Sequence, residues 1–534
     1  MQLEGIPFRK TGYFSELIND YLDESDSLKP FYARFPNIDS FKSQLEEKKQ
    51  SFTEKQRTVL VKALKNQYSE ISASATTKEH LKLLSENNTF TIVTGHQLNL
   101  FTGPLYFLYK IISTINLCTT LKKQYPECHF VPVYWMATED HDFEEINYFN
   151  FKGKKLQWNR ESEGAVGSLS TKGLDGVLQM LTLEMGAGKF AAELKRLFKE
   201  AYLKHDDLAS ATRYLANELF GKKGLVIVDG NDTLLKRALV PYIKQDLFQN
   251  IAFKEVSKTI TNLESLEEGY NIQVNPREIN YFYLKEGLRE RIIEKDGMFF
   301  VNNTSLQFTK EDLTTEIDQY PERFSPNVIA RPLYQEVILP NLCYIGGGGE
   351  LAYWLELKSY FNAVEVPFPI LLLRNSALVI TEKQQSKLQK MNLEVADLFL
   401  DQNRLINKKI REISNIDIDF SPQRNHLMEQ FKGLYSLAEK TDKSFLGAVK
   451  AQEVKQLKGL DKLEKRLLKA QKRKLKDQVV RMTEIQNELF PNQSLQERSL
   501  NFSELYLHIG EDLIPKLIQS LDPLAKEFYV LRFP

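Results

Sequence analysis

The stretch TFTIVTGHQLNLFTGPLYFLYKIISTINLCTTL, residues 89–121, decides how the chain is read. TFTIVTG (89–95) is a short β-rich run. PLYFLYKIISTINLCTTL (104–121) places Leu105, Leu108, Ile112, Ile115 and Leu121 near one helical face. HFVPVYWMA (129–137) is a second buried-strand pattern. Strand, helix and strand of these lengths predict a βαβ unit in a parallel sheet. GLVIVDG (224–230), ahead of a helix starting near Asp232, and FPILLLR (368–374), after a helix pattern over 350–360, repeat the theme. The expected fold class is α/β, one doubly wound parallel sheet with strands scattered over residues 88–385.

The rest of the chain arranges itself around that core. Residues 1–87 read as a helical region packing on it. Insertions are expected at about 152–219 and 262–305, the second a small antiparallel meander of NIQV, YFYL, RIIE and MFFV. Residues 386–500 are helical in pattern. The run 445–489 has apolar residues mostly three or four apart and no proline until Pro491. A continuous helix of that length would be roughly 65 Å long, so a coiled coil is expected. Its partner is either the preceding helix, about 422–439, or a second subunit. Residues 501–534 return to mixed apolar texture and are expected to pack back on the core.

Composition narrows the function. Lys+Arg and Asp+Glu number 71 each, so the formal net charge is zero. General nucleic-acid affinity needs a basic footprint, and the basic run KRLLKAQKRKLKD (465–477) reads as a solvated helix face. No membrane-length apolar run exists, and no signal peptide is visible at the start. Cys118, Cys128 and Cys343 are sparse and lack structural-zinc spacing. These features predict a cytoplasmic protein without membrane or nucleic-acid partners.

In a parallel sheet, ligands bind beyond the carboxyl ends of strands. Three strand ends carry chemistry. The first is Thr94, Gly95, His96 and Gln97, with Gly103 opening a helix whose unpaired N–H groups favour an anion. Lys110 lies nearly two turns into that helix and is left out. The second is MATEDHDF (136–143), where Glu139, Asp140, His141 and Asp142 suit general acid–base work or a metal. The third is the glycine loop Gly346, Gly347, Gly348 and Gly349, followed by Glu350, with Arg331 upstream as a carboxylate or phosphate clamp. Tyr353 and Trp354 read as packing.

Together GHQLNLFTGPLYFLYK, VPVYWMATEDHDFEEIN and SPNVIARPLYQEVILPNLCYIGGGGELAYW resemble the motifs of the bacillithiol biosynthesis cysteine-adding enzymes, the BshC family. The resemblance extends over nearly the whole chain. It implies a Rossmann-like core with connecting-peptide insertions and a coiled coil that forms a homodimer. It also implies a cysteine ligase that joins L-cysteine to glucosaminyl-malate, the last step of bacillithiol formation. Amide formation in water needs an activated carboxyl, which implies ATP, and magnesium is compatible with the carboxylates; no zinc site is evident. His96, Asp140, His141 or Asp142 is then the expected base, and Arg331 the expected carboxylate holder. Two other readings stay open: a metal-dependent nucleotidyltransferase or hydrolase using residues 139–142, and a non-catalytic coiled-coil scaffold.

Overall fold

The computed structural model describes residues 2–441 and 443–533. It contains two compact units, one made of Leu3–Leu378 with Gln496–Val530, the other built on Val379–Leu495.

The first unit is organised by a five-stranded sheet. Strand β1 (Thr89–His96) is buried along its whole length and leads through helix α1 (Tyr106–Gln124) to β2 (His129–Met136). β3 (Val226–Asp229) precedes α2 (Thr233–Gln249), whose cap Asp232 accepts from the Leu234 and Leu235 N–H groups. Helix α3 (Ala330–Ile338) leads to β4 (Asn341–Gly346), α4 (Gly348–Leu355) and β5 (Ile370–Leu373). The order across the sheet is β5-β4-β1-β2-β3, with every neighbouring pair parallel. This is the doubly wound Rossmann-like order, and the strand sequence reverses between β1 and β4. Strands buried on both faces need continuous apolar runs. Phe90, Ile92, Phe130, Cys343, Ile345, Ile370 and Leu372 supply one, packed against Leu117 and Leu121 of α1.

Two insertions interrupt the sheet. After β2 come a hairpin (Tyr148–Phe151 with Lys154–Gln157) and helices Leu174–Met185, Lys189–Tyr202 and Leu208–Phe220. Before α3 comes a five-stranded antiparallel sheet built on Tyr281–Lys285, Leu288–Lys295 and Met298–Val301. NIQV (271–274), expected as one of its strands, is instead irregular. The N–H groups of Gln273 and Val274 turn to the Glu356 carboxylate rather than to a neighbouring strand.

In the second unit, helices α5 (Ser421–Ala438) and α6 (Lys443–Lys474) form a hairpin. Phe431, Ala438 and Val449 are its seam, and Arg424 pairs with Asp461 and Glu464 at 2.5 and 3.0 Å. The helix expected to run unbroken over 445–489 is two helices. Leu475 leaves helical geometry at φ −100°, ψ 29°, and α7 (Lys476–Leu489) follows. That interruption falls where the apolar spacing lapses near Leu475.

The N-terminal helical layer is tied to the core by a buried ion pair. Lys48 Nζ meets Glu336 Oε2 at 3.3 Å, and Gln335 and Asn341 donate to the other carboxylate oxygen. Burial pushes the Glu336 carboxyl up. Lys48→Met, which strands that carboxylate, is expected to cost roughly 3–5 kcal/mol near pH 8. The cost shrinks as the pH is lowered, for example to pH 5, because uptake of a proton by Glu336 relieves the stranded charge. Urea unfolding at the two pH values measures both.

Candidate active site

The carboxyl ends of β1, β2 and β4 open into a cleft of about 1170 Å³. It lies at the topological switch point, where doubly wound sheets bind ligands. Of the residues singled out in the sequence, Gly95, His96, Gln97, Gly103, Glu139, Asp140, His141, Arg331, Gly347, Gly348, Gly349 and Glu350 line it. The three loops, far apart in the chain, therefore form one site.

Three of the singled-out residues do not face it. Thr94 is fully buried, and its hydroxyl donates to the Ile345 carbonyl at 2.7 Å, tying β1 to β4. Asp142 is an exposed helix cap that accepts from Glu145 N–H. Gly346 ends β4; a Cβ there would lie 2.9 Å from Glu350 Cβ and from the Tyr344 ring. It gives close packing rather than a ligand contact.

The floor is organised by Lys110, which reaches back from α1 to the strand ends. Its Nζ lies 2.5 Å from Glu350 Oε2 and donates to the Gly95 carbonyl at 2.7 Å. Glu350 also accepts from the Tyr344 hydroxyl at 2.6 Å and from Gly347 N–H at 2.8 Å. Burial alone would raise this carboxyl, but Lys110, the Gly347 N–H and the tyrosine hold it below its ordinary range. Burial pushes the Lys110 ammonium down. Gly347 N–H is spent on Glu350, which leaves the first-turn N–H groups of Gly348 and Gly349 as the helix-start donors. At the other helix start the Leu105 N–H already donates to the Leu500 carbonyl at 2.7 Å, so fewer donors remain there than the sequence suggested.

Arg331 stands beside this pair. Its guanidinium donates to Gln335 Oε1 and the Tyr353 hydroxyl at 3.2 and 3.3 Å and lies 5.9 and 5.7 Å from the Trp135 and Tyr344 rings. Among the described residues no carboxylate comes within ion-pair distance of it. Arg374, at the end of β5, pairs with Glu497 at 2.7 Å and sits 5.0 Å from the Tyr106 ring, with its buried Nε unpartnered. His96 is also buried; desolvation and then the Lys110 charge push its imidazole well below the usual range, so it is neutral.

The opposite wall carries the acids. Gln97 Nε2 donates to Asp140 Oδ2 and Glu145 Oε2, both at 2.9 Å. Asp140 Oδ1 also accepts from His141 N–H at 2.7 Å. Burial opposes ionisation here, yet His141, Gln97 and Arg289 hold the Asp140 carboxyl far below its ordinary range. Arg289, from the antiparallel insertion, stacks 3.9 Å over Phe282 and donates to His141 Nδ1 at 2.8 Å. That donor fixes the ring with its proton on Nε2. Glu139 pairs with the fully buried Lys236 at 2.6 Å. Burial raises the glutamate and lowers the lysine, both toward their neutral forms.

Lys110, Arg289, Arg374 and Tyr353 also line the cleft, outside the residues that the sequence singles out. Tyr353 was read as packing, which holds for its neighbour Trp354, stacked on Tyr344 at 4.6 Å and fully buried. The signal for Lys110 was its charge on an otherwise buried helix, where an ammonium needs a partner.

The cleft, the sheet and the helical second unit define a Rossmann-like α/β protein with an added coiled-coil domain. A model of the bacillithiol biosynthesis BshC N-terminal Rossmann-like domain matches residues 1–375, and one of the BshC C-terminal coiled-coil domain matches residues 377–533. A Christiangramia forsetii protein is 59% identical over 99% of this chain and 98% of its own length. One from Flavobacterium johnsoniae is 58% identical over 99% of this chain and 100% of its own. Both carry the provisional name cysteine ligase BshC. The chain belongs to the BshC family. The arginyl-tRNA synthetase of Plasmodium falciparum aligns over 81% of this chain and 77% of its own at 11% identity and a TM-score of 0.23, too slight a likeness to carry an argument. No described helix is long and apolar enough to cross a membrane.

The Glu350 carboxyl, depressed in the folded state, contributes stability above its unfolded value near 4.5 and loses it as the pH falls through the folded value. Glu350→Gln is therefore expected to be about 1–3 kcal/mol less stable at pH 7. Denaturant unfolding as a function of pH should show the gap closing below about pH 4.5.

Proposed function

We propose that this cleft joins the carboxyl of L-cysteine to the amine of glucosaminyl-malate, with ATP activating the carboxyl, and that this completes bacillithiol. The relatives' name supports the ligase class, and membership of the family supports the bacillithiol role. The observation that carries the reading is the lining: seven Lys or Arg side chains against four Asp or Glu, with Arg331 unpaired at the floor. Such a site suits ligands that bring several negative charges, here a dicarboxylate and a polyphosphate.

Arg331 holds a substrate carboxylate. The Gly348 and Gly349 N–H groups and Lys110 face the phosphate, and ATP supplies the leaving group that makes the carboxyl reactive. The attacking amine must lose a proton as the C–N bond forms. Asp140 and His141 are poor acceptors for it, one because its donors hold it ionised and the other because its available nitrogen already carries a proton. They orient the amine. Glu139, raised by burial and paired with Lys236, takes the proton. Among the described residues no group of three His, Cys, Asp or Glu side chains is arranged to hold a metal ion.

Incubation of the purified protein with cysteine, glucosaminyl-malate and ATP is expected to give the thiol product by mass spectrometry, with AMP or ADP identifying the leaving group. Absence of product with every nucleotide contradicts the reading. Glu139→Gln should lower kcat roughly 100-fold or more.

We also propose that the chain pairs with a second copy through α5 and α6. Leu434, Leu437, Val454 and Leu463 are 41–54% exposed on this hairpin. Sedimentation equilibrium should give twice the chain mass of 61.9 kDa. Leu437→Glu with Leu463→Glu should return it to a single copy.

A further inference from the structure

We infer that Arg374 and His96 form a subsite for a small uncharged thiol, and that the cysteine side chain docks there. Both residues line the cleft and are buried, at 5% and 8% exposure. Yet each keeps one polar atom without a hydrogen-bond partner among the described residues. For Arg374 the atom is Nε. Its other donors are spent, Nη1 on the Asn375 carbonyl and the Ser376 hydroxyl at 2.9 and 3.0 Å, Nη2 on Glu497 at 2.7 Å. Glu497 is itself held, accepting from the Ser376 hydroxyl and the Ala377 N–H, both at 3.0 Å. For His96 the atom is Nε2. A buried polar atom left unpaired is costly, and a ligand that pairs both atoms recovers that cost. Both residues border one ring. The His96 imidazole lies 5.5 Å from Tyr106, edge to face, and the Arg374 guanidinium lies 5.0 Å over it. Phe107 backs His96 at 5.0 Å.

Charge decides what fits. Glu497 balances Arg374, Glu350 balances Lys110, and burial keeps His96 neutral. An anion here would be a buried charge without a counterpart, and a cation would face Arg374 and Lys110. The unpaired Arg331 is the better place for a carboxylate. What remains is a neutral group that accepts from Arg374 Nε–H and also bonds to His96 Nε2. An S–H or O–H group does so whichever His96 nitrogen carries the proton, whereas a methyl group does neither. The rings of Tyr106 and Phe107 favour the more polarizable sulfur. Position agrees with charge. Arg374 Nε lies 3.7 Å from the place a Gly347 Cβ would take, beside the loop whose N–H groups face the phosphate. An amino acid whose carboxyl is activated there has its side chain on the adjacent carbon, which brings the thiol beside Arg374.

The identity of the amino acid rests on the proposed condensation; the affinity of the subsite for a thiol is measured without turnover. The test is titration calorimetry of the full chain, under reductant, with L-cysteine, L-serine and L-α-aminobutyrate, in which a methyl group replaces the S–H. Wild type should bind cysteine roughly 10-fold more tightly than either analogue. Arg374→Lys keeps a charge beside Glu497 but removes Nε, and should bring cysteine within about twofold of α-aminobutyrate. His96→Phe should do the same. A wild type that binds cysteine no more tightly than α-aminobutyrate, or prefers serine, overturns the inference without any variant. A folded Arg374→Lys that keeps the preference overturns it as well. Weaker binding of glucosaminyl-malate by Arg374→Lys, with cysteine unchanged, gives the subsite to a sugar hydroxyl and overturns it too. The stated preference without product from cysteine, glucosaminyl-malate and ATP overturns the function and leaves the subsite standing. Product without the preference overturns the subsite alone.

Discussion

The ion pair between Lys110 and Glu350 is the contact on which the cleft depends. It spans the switch point, where β1 and β4 lie side by side but their following helices leave toward opposite faces of the sheet. A gap opens there in any such sheet. Lys110 closes its floor from one side by holding the Gly95 carbonyl at 2.7 Å, and Glu350 closes it from the other by holding Gly347 N–H and Tyr344. An ammonium at 5% exposure is tolerable only because a carboxylate sits 2.5 Å away. The pair thereby fixes the relative position of the His96 and glycine-loop walls.

Charge pairing then sorts the remaining cations by role. Arg374 and Lys236 are neutralised by Glu497 and Glu139, so they act as fixed supports. Among the described residues Arg331 has no such partner, and its hydrogen bonds go to neutral groups. A half-buried guanidinium in that state gains most from an anionic ligand. Zero net charge over the whole chain and a cationic cleft are compatible, because the excess is local. The Glu139–Lys236 pair differs from Lys110–Glu350 in that its carboxyl is raised by burial, which makes the ionised form a stronger proton acceptor.

Much of this was legible in the sequence, and the exceptions have physical causes. The βαβ pattern of residues 89–137 and the later apolar runs specify a parallel sheet, because strands buried on both faces leave few alternatives to continuous apolar composition. Gly95, His96, Gln97, Arg331 and Gly347–Gly349 could be found because strand ends and glycine loops are local signals. Lys110 lies nearly two turns into its helix, away from these local signals. Side chains on a helix incline toward its N-terminus, and a lysine reaches several ångströms further, so that distance is covered. Arg289 and Glu497 come from an insertion and from the segment after the coiled coil, and no local pattern ties either to the strand ends. Thr94 and Asp142 have the right chemistry, but strand alternation buries the first and helix capping occupies the second.

The most direct test of this account is a double-mutant cycle on Lys110 and Glu350, read as turnover in the proposed condensation of cysteine with glucosaminyl-malate. Lys110→Met and Glu350→Gln should each lower kcat/KM strongly, and the double variant should lose much less than the sum, a coupling of at least about 1 kcal/mol. Single variants with wild-type turnover, or effects that simply add, would contradict the claim that this pair holds the two walls of the site together.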